Sequence, residues 1–142
     1  MASFTAQVPS LVDAGPVVEV QIAVGSILED LLTSGGEQVP APVTVTAMID
    51  TGATSTVIQQ DIADQLGLNP VGVTPINTPS STGVNCYRYL VRLFFQNNVN
   101  VEAVAIGAPL EGQHIQCLIG RDVLALGVFV YVGYTNTFTL SF

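Results

Sequence analysis

Asp50 is the residue whose setting could do chemistry, in the run Ala47-Met48-Ile49-Asp50-Thr51-Gly52-Ala53-Thr54. It follows directly on an apolar, β-branched stretch that reads as a buried strand, and burying an isolated carboxylate is expensive. Asp50 must therefore stand at the strand end, accept hydrogen bonds from its own loop, or face another group that shares its proton. Thr51 brings a hydroxyl that can donate across a tight contact. Gly52 lets backbone approach a ligand or a second loop with no Cβ in the way. Such a carboxylate can share or pass a proton. Taken alone, the tripeptide serves equally well as a strand-end aspartate that caps a turn.

It does not stand alone. A short helical pattern ends at Leu66-Gly67-Leu68, and the segment Cys117-Leu118-Ile119-Gly120-Arg121-Asp122 follows later. This order of motifs resembles the retropepsin family, the single-domain aspartic proteases of retroviruses and their cellular and bacterial relatives. The resemblance runs over residues 16–142. Pro75-Ile76-Asn77-Thr78-Pro79-Ser80-Ser81-Thr82-Gly83-Val84, together with Phe129-Val130-Tyr131 and Thr137-Phe138-Thr139-Leu140, is most similar to the bacterial members. It implies an all-β fold: a closed, partly orthogonal β-barrel with one or two short helices, assembled as a C2 homodimer. Residues 1–15 are expected to form an N-terminal extension to a single 16–142 domain.

Aspartic protease chemistry needs two neighbouring carboxylates that share one proton, one activating a water and one donating to the substrate carbonyl. This chain contains one Asp-Thr-Gly and no Asp-Ser-Gly. Asp61 and Asp64 read as helix-surface charges and Asp122 as a helix-start residue. The second carboxylate must then come from a second copy related by a two-fold axis.

The resemblance also implies roles. Asp50 of each chain supplies the dyad, Thr51 grips the facing loop, and Gly52 offers its N–H to the carboxylates and its carbonyl to the peptide. Ala53 and Thr54 lie under the substrate backbone. Ile76, Asn77, Thr78, Pro79, Ser80, Ser81, Thr82 and Gly83 belong to a flap over an extended peptide. Gly120, Arg121 and Asp122 support the catalytic loop. Retroviral members usually carry an aspartate where Thr54 stands, paired with the arginine of the Gly-Arg segment. Arg121 must find another partner here, a backbone carbonyl or Asp122. Pro75 and Pro79 replace the glycines of retroviral flaps. No metal or cofactor is implied.

The elements that must position these residues are mostly strands. Residues 16–24 alternate, with Val18, Val20, Ile22 and Val24 on one face and Glu19 and Gln21 on the other. Residues 26–42 hold a turn or two of helix within a long connection. Residues 43–49 form a strand; a helix opens at Gln60 or Asp61 and stops at Gly67. Residues 69–81 read as loop or edge strand. Strands 87–95 and 99–106 flank the turn Gln96-Asn97-Asn98. A short helix at 123–126 is closed by Gly127, and a last hairpin pairs 128–132 with 137–142. The final strand is a candidate dimer seal, whereas residues 1–10 do not read as a strand.

Composition excludes several classes. Of 142 residues, 49% are apolar and 10% charged, which is the opposite of a disordered chain. Arg88, Arg92 and Arg121 are the only cations against eleven carboxylates, a net charge of −8, so a nucleic-acid surface is not expected. So few charges leave apolar surface that favours association with another chain. Glycine and threonine interrupt the longest late uncharged run, residues 123–142, so no membrane span is expected. The start of the chain has neither a basic cluster nor an apolar core, which makes a cytoplasmic location the expectation. Cys86, Cys117 and His114 are scattered and read as two buried thiols and a loop histidine. His114 is the sole imidazole and no Gly-x-Ser-x-Gly occurs, which argues against a serine or cysteine hydrolase. The leading expectation is therefore an aspartic endopeptidase; its alternative is a non-catalytic dimer of the same fold that binds peptides or joins partners.

Overall fold

A computed structural model describes the backbone of residues 1–78 and 81–142, and the side chains of residues 1–76 and 83–142. In chain order the elements are β1 (Ser3–Gln7), α1 (Leu11–Ala14), β2 (Val17–Val24), α2 (Ser26–Ser34), β3 (Val43–Ile49), β4 (Val57–Gln59) and α3 (Gln60–Gln65). There follow β5 (Gly72–Thr78), β6 (Ser81–Phe94), β7 (Asn100–Ala108), β8 (Cys117–Ile119), α4 (Arg121–Leu124), β9 (Val128–Val132) and β10 (Thr137–Ser141).

Seven strands pair in the order β2-β3-β8-β4-β7-β6-β5, and β2 also pairs with β6. The pairings thus close into a ring, with β5 attached outside it along β6. The alternation of β2 works as its sequence dictates: Val18, Val20, Ile22 and Val24 are buried while Glu19 and Gln21 face water. Their partners inside include Ile58, Val91, Leu93 and Ile119. The turn between β6 and β7 uses Asn97 and Asn98 at φ 54° and 60°, left-handed positions that asparagine tolerates. Gly67 stops α3 at φ +63°. Outside the ring, α2 is tied down by an ion pair between Glu29 and Arg92. The Ser26 N–H, 2.6 Å from Glu102 Oε1, adds a second tie and holds the Glu102 carboxyl below the usual carboxylate range.

A second sheet, β1-β10-β9, carries Phe4, Phe138 and Leu140 into the same core. Several expectations change here. Residues 3–7 form a strand, where residues 1–10 do not read as one, and Phe4 joins the common cluster. The final strand β10 lies between β1 and β9 of its own chain, so both its edges are occupied and it offers none to a second copy. Among the described residues there are four short α-helices rather than one or two, and of these α1 gives no periodic signal. Residues 72–78 resolve the loop-or-edge alternative as an edge strand, and β6 begins at Ser81 instead of 87. The fold is mostly β with short helices. No helix among the described residues is long and apolar enough to cross a membrane.

Candidate active site

Strands β3 and β8 run parallel, with Ala47, Met48 and Ile49 in register with Cys117, Leu118 and Ile119. Segments far apart in sequence therefore leave the sheet side by side. Asp50 extends the pairing by one residue, its N–H donating to the Ile119 carbonyl at 2.9 Å. The loop then closes on itself. Ala53 N–H donates to the Asp50 carbonyl at 3.1 Å, and Gly52 N–H to Asp50 Oδ1 at 2.9 Å. Asp50 Oδ2 accepts no hydrogen bond from the described residues. Thr51 is exposed and its hydroxyl likewise makes none among them.

Gly120, Arg121 and Asp122 hold this loop from the other side. The N–H groups of Arg121 and Asp122 donate to the carbonyls of Ala53 and Thr54 at 2.9 and 3.2 Å. The Arg121 guanidinium donates to the Thr51 carbonyl at 2.7 Å and to the Thr54 hydroxyl at 3.1 Å. Of the two partners expected for Arg121, the backbone carbonyl is the one used. Asp122 is engaged elsewhere, accepting from the Thr56 N–H, the Thr56 hydroxyl and the Val123 N–H. The Thr56 hydroxyl in turn accepts from Gly120 N–H at 3.0 Å. Gly120 packs so closely that a Cβ there would lie 2.5 Å from the Ser55 carbonyl carbon. Only glycine fits.

Asp50 is half-buried in a depression of about 310 Å³ lined by Pro16, Ile49, Thr51, Phe129 and Tyr131. Its carboxylate is the single acidic group of that lining, so one chain presents one carboxyl with an open oxygen. A larger depression of about 430 Å³ lies between α4 and β7. Its two carboxylates already serve structure, Glu102 bonded to Ser26 and Asp122 to Thr56.

The expected site residues thus fall into groups. Asp50, Thr51, Gly52, Ala53 and Thr54 meet Gly120, Arg121 and Asp122 in one hydrogen-bonded unit. Ile76 lies on the β5–β6 hairpin opposite Val84, and Gly83 follows on β6 with φ +71°. Neither lines the Asp50 depression. Pro79 and Ser80 lie outside the described residues, as do the side chains of Asn77, Thr78, Ser81 and Thr82. Sequence reasoning missed Thr56, whose polarity within a β-branched run was the available signal. It also missed Pro16, Phe129 and Tyr131, because nothing local brings β9 to the Asp50 loop.

Cys86 and Cys117 are both buried and free. Burial, with the Asp122 charge adding to it, pushes the Cys117 thiol up to about 12, so it stays protonated and offers no thiolate. No group of three histidine, cysteine or acidic residues among the described residues could hold a metal ion.

A family model described as aspartyl protease matches residues 32–123. Among solved structures, a retropepsin-like aspartic protease from Rickettsia conorii superposes with a TM-score of 0.51 at 12% identity, covering 99% of this chain and 94% of that one. The protease of Simian Foamy Virus (mac) gives a TM-score of 0.49 at 20% identity, over 78% of this chain and 93% of that one. The Rickettsia likeness is one of fold. A search of curated proteins gives no match.

Proposed function

The chain belongs to the aspartyl protease family, and from that premise we propose that it hydrolyses peptides through a dyad of Asp50 carboxyls from two copies. The observation that carries this reading is the Asp50 carboxyl itself, held by Gly52 N–H at Oδ1 and left open at Oδ2 on a loop braced by Arg121.

Two such carboxyls a few Å apart share one proton, because like charges at that separation do not both ionise. The ionised member takes a proton from a water as that water attacks the scissile carbonyl. The protonated member donates to the carbonyl oxygen, and the tetrahedral intermediate then collapses with proton transfer to the leaving nitrogen. Gly52 steadies the carboxyls through its N–H, and its carbonyl accepts from substrate. The Thr51 hydroxyl, without a partner in its own chain's described residues, bonds the facing loop. The peptide lies extended over Ala53 and Thr54, covered by the β5–β6 hairpin at residues 76–83, which excludes bulk water. Thr54, where retroviral relatives carry an acid, leaves the substrate backbone one charged acceptor fewer.

Replacing Asp50 with Asn tests this. The variant keeps the wild-type melt and loses peptide hydrolysis, and a pepstatin-type inhibitor silences the wild type. Peptide binding that survives Asp50→Asn, with no turnover by the wild type between pH 3 and 7, would instead mark a non-catalytic peptide-binding dimer.

A further inference from the structure

Strand β9 is the bare edge of the β1-β10-β9 sheet. It reads Val128-Phe129-Val130-Tyr131-Val132, with no charge and no proline, whereas exposed edges are normally blunted by such residues. Val128, Val130 and Tyr131 are 51%, 44% and 49% exposed. The opposite edge differs. Strand β1 turns Ser3, Thr5 and Gln7 to water, and the Asn97 amide donates to its Ser3 carbonyl at 3.5 Å. On a chain of net charge −8, the stretch from Val123 to Phe142 has no charged side chain. Pairing through β9 sets no charged side chain of that stretch against another.

The main chain of β9 has a definite phase. Ala2 and Phe142 exchange both of their hydrogen bonds, at 3.0 and 3.1 Å. Antiparallel alternation then turns Phe138 and Leu140 toward β1, and Thr137, Thr139 and Ser141 toward Val132, Val130 and Val128. The N–H and C=O groups of Phe129 and Tyr131 are left facing the open edge. Those two residues also line the Asp50 depression. The strand is also a palindrome by residue type: valine, aromatic, valine, aromatic, valine. A strand of that kind complements an antiparallel copy of itself.

We infer that β9 pairs antiparallel with β9 of a second copy about a two-fold axis through Val130, joining the two sheets into one of six strands. Phe129 stands opposite Tyr131 of the second copy and exchanges both main-chain bonds with it. Val130 meets its own copy in the closer, non-hydrogen-bonded pair. The chain ends stay folded in their own subunit, and the Asp50 loops are brought to the axis because Phe129 and Tyr131 touch both the edge and the Asp50 depression. This rests on the two-copy reading of Asp50 and adds the surface that assembles it.

The test uses Val130→Cys and Val130→Lys in the full chain, each also combined with Asp50→Asn. At a non-hydrogen-bonded antiparallel pair the Cα atoms are about 4.5 Å apart, within disulfide reach. Val130→Cys is therefore expected to cross-link on mild oxidation, with or without Asp50, while wild type, its two cysteines buried, does not. Two lysines on the axis should weaken the sedimentation dimer constant by at least about 100-fold while the separated chain keeps its secondary structure. The cysteine variant reports even if the lysine variant misfolds. Absence of the cross-link, an unchanged dimer constant in Val130→Lys, or a monomeric wild type would each overturn the inference. An Asp50-dependent dimeric protease that gives either of the first two results keeps the catalytic reading and loses this interface. A cross-linked dimer without Asp50-dependent turnover does the reverse.

Discussion

Asp122 grips Thr56 with both carboxylate oxygens, Oδ2 accepting the Thr56 N–H at 3.0 Å and Oδ1 its hydroxyl at 2.8 Å. Thr56 is fully buried and passes the contact on, accepting from Gly120 N–H and giving its carbonyl to Ile106 N–H. The residue that ends the Asp50 loop is thereby locked to the first turn of α4 and to strand β7.

Asp122→Ala leaves the buried Thr56 N–H and hydroxyl without their acceptor. It should cost about 2–4 kcal/mol, read as a lower urea midpoint. Thr56→Val keeps the shape and the N–H contact but removes the hydroxyl that Gly120 N–H donates to and that donates to Asp122 Oδ1, and should cost about 1–3 kcal/mol. The double variant should lose less than the sum, because the two residues form one unit. Additive losses would contradict this.

Arg121 bridges the Thr51 carbonyl and the Thr54 hydroxyl with no carboxylate partner on either contact. Arg121→Leu should cost about 1–3 kcal/mol for charge-assisted bonds. Arg121→Lys should recover little, since an ammonium cannot span both acceptors. Thr54→Asp offers the guanidinium an acid at this exposed site. It should raise stability at neutral pH by up to about 1 kcal/mol, and the gain should vanish as pH falls below the carboxylate range. A gain that persists in acid would rule out the ion pair.

Cys117 makes stability sensitive to alkali. The unfolded chain releases this proton above pH 9.0, while the folded chain keeps it to about 12. Over that window the unfolded state binds fewer protons, so stability falls with rising pH by about 1.4 kcal/mol per unit. Cys117→Ala should shallow the dependence of the urea midpoint on pH by that amount. Equal slopes in the two proteins would refute it.

Charge should govern association. Each copy brings a net −8 with three cations, so pairing works against repulsion. Sedimentation should give a tighter dimer at pH 5 than at pH 8 in low salt. Added salt should erase most of the difference, because the screening length is about 10 Å at 0.1 M. A dimer constant indifferent to both would be incompatible with this account.

Much of this architecture was legible because it is local. The alternation of 18–24 and the Asn97-Asn98 turn each encode their own conformation. So does Gly67 at the end of α3. The two motifs of the site could be recognised because each ends a buried strand, yet the atoms that join them could not be read. The partner of Arg121 depends on the parallel β3–β8 register, which no local pattern carries. Strand β1 was hidden for a related reason: of its five residues only Phe4 is fully buried, and its pairing comes wholly from β10 at the far end of the chain. β5 carries Pro75 and pairs on one side only, so its periodicity is weak.

The most direct measurement of the central claim is peptide hydrolysis by wild-type chain mixed with increasing Asp50→Asn chain at constant total protein. If each active centre needs Asp50 from two copies, activity falls as the square of the wild-type fraction, reaching a quarter at an equal mixture. Activity that falls only linearly would mean that one copy carries a complete active centre, and the account would be wrong.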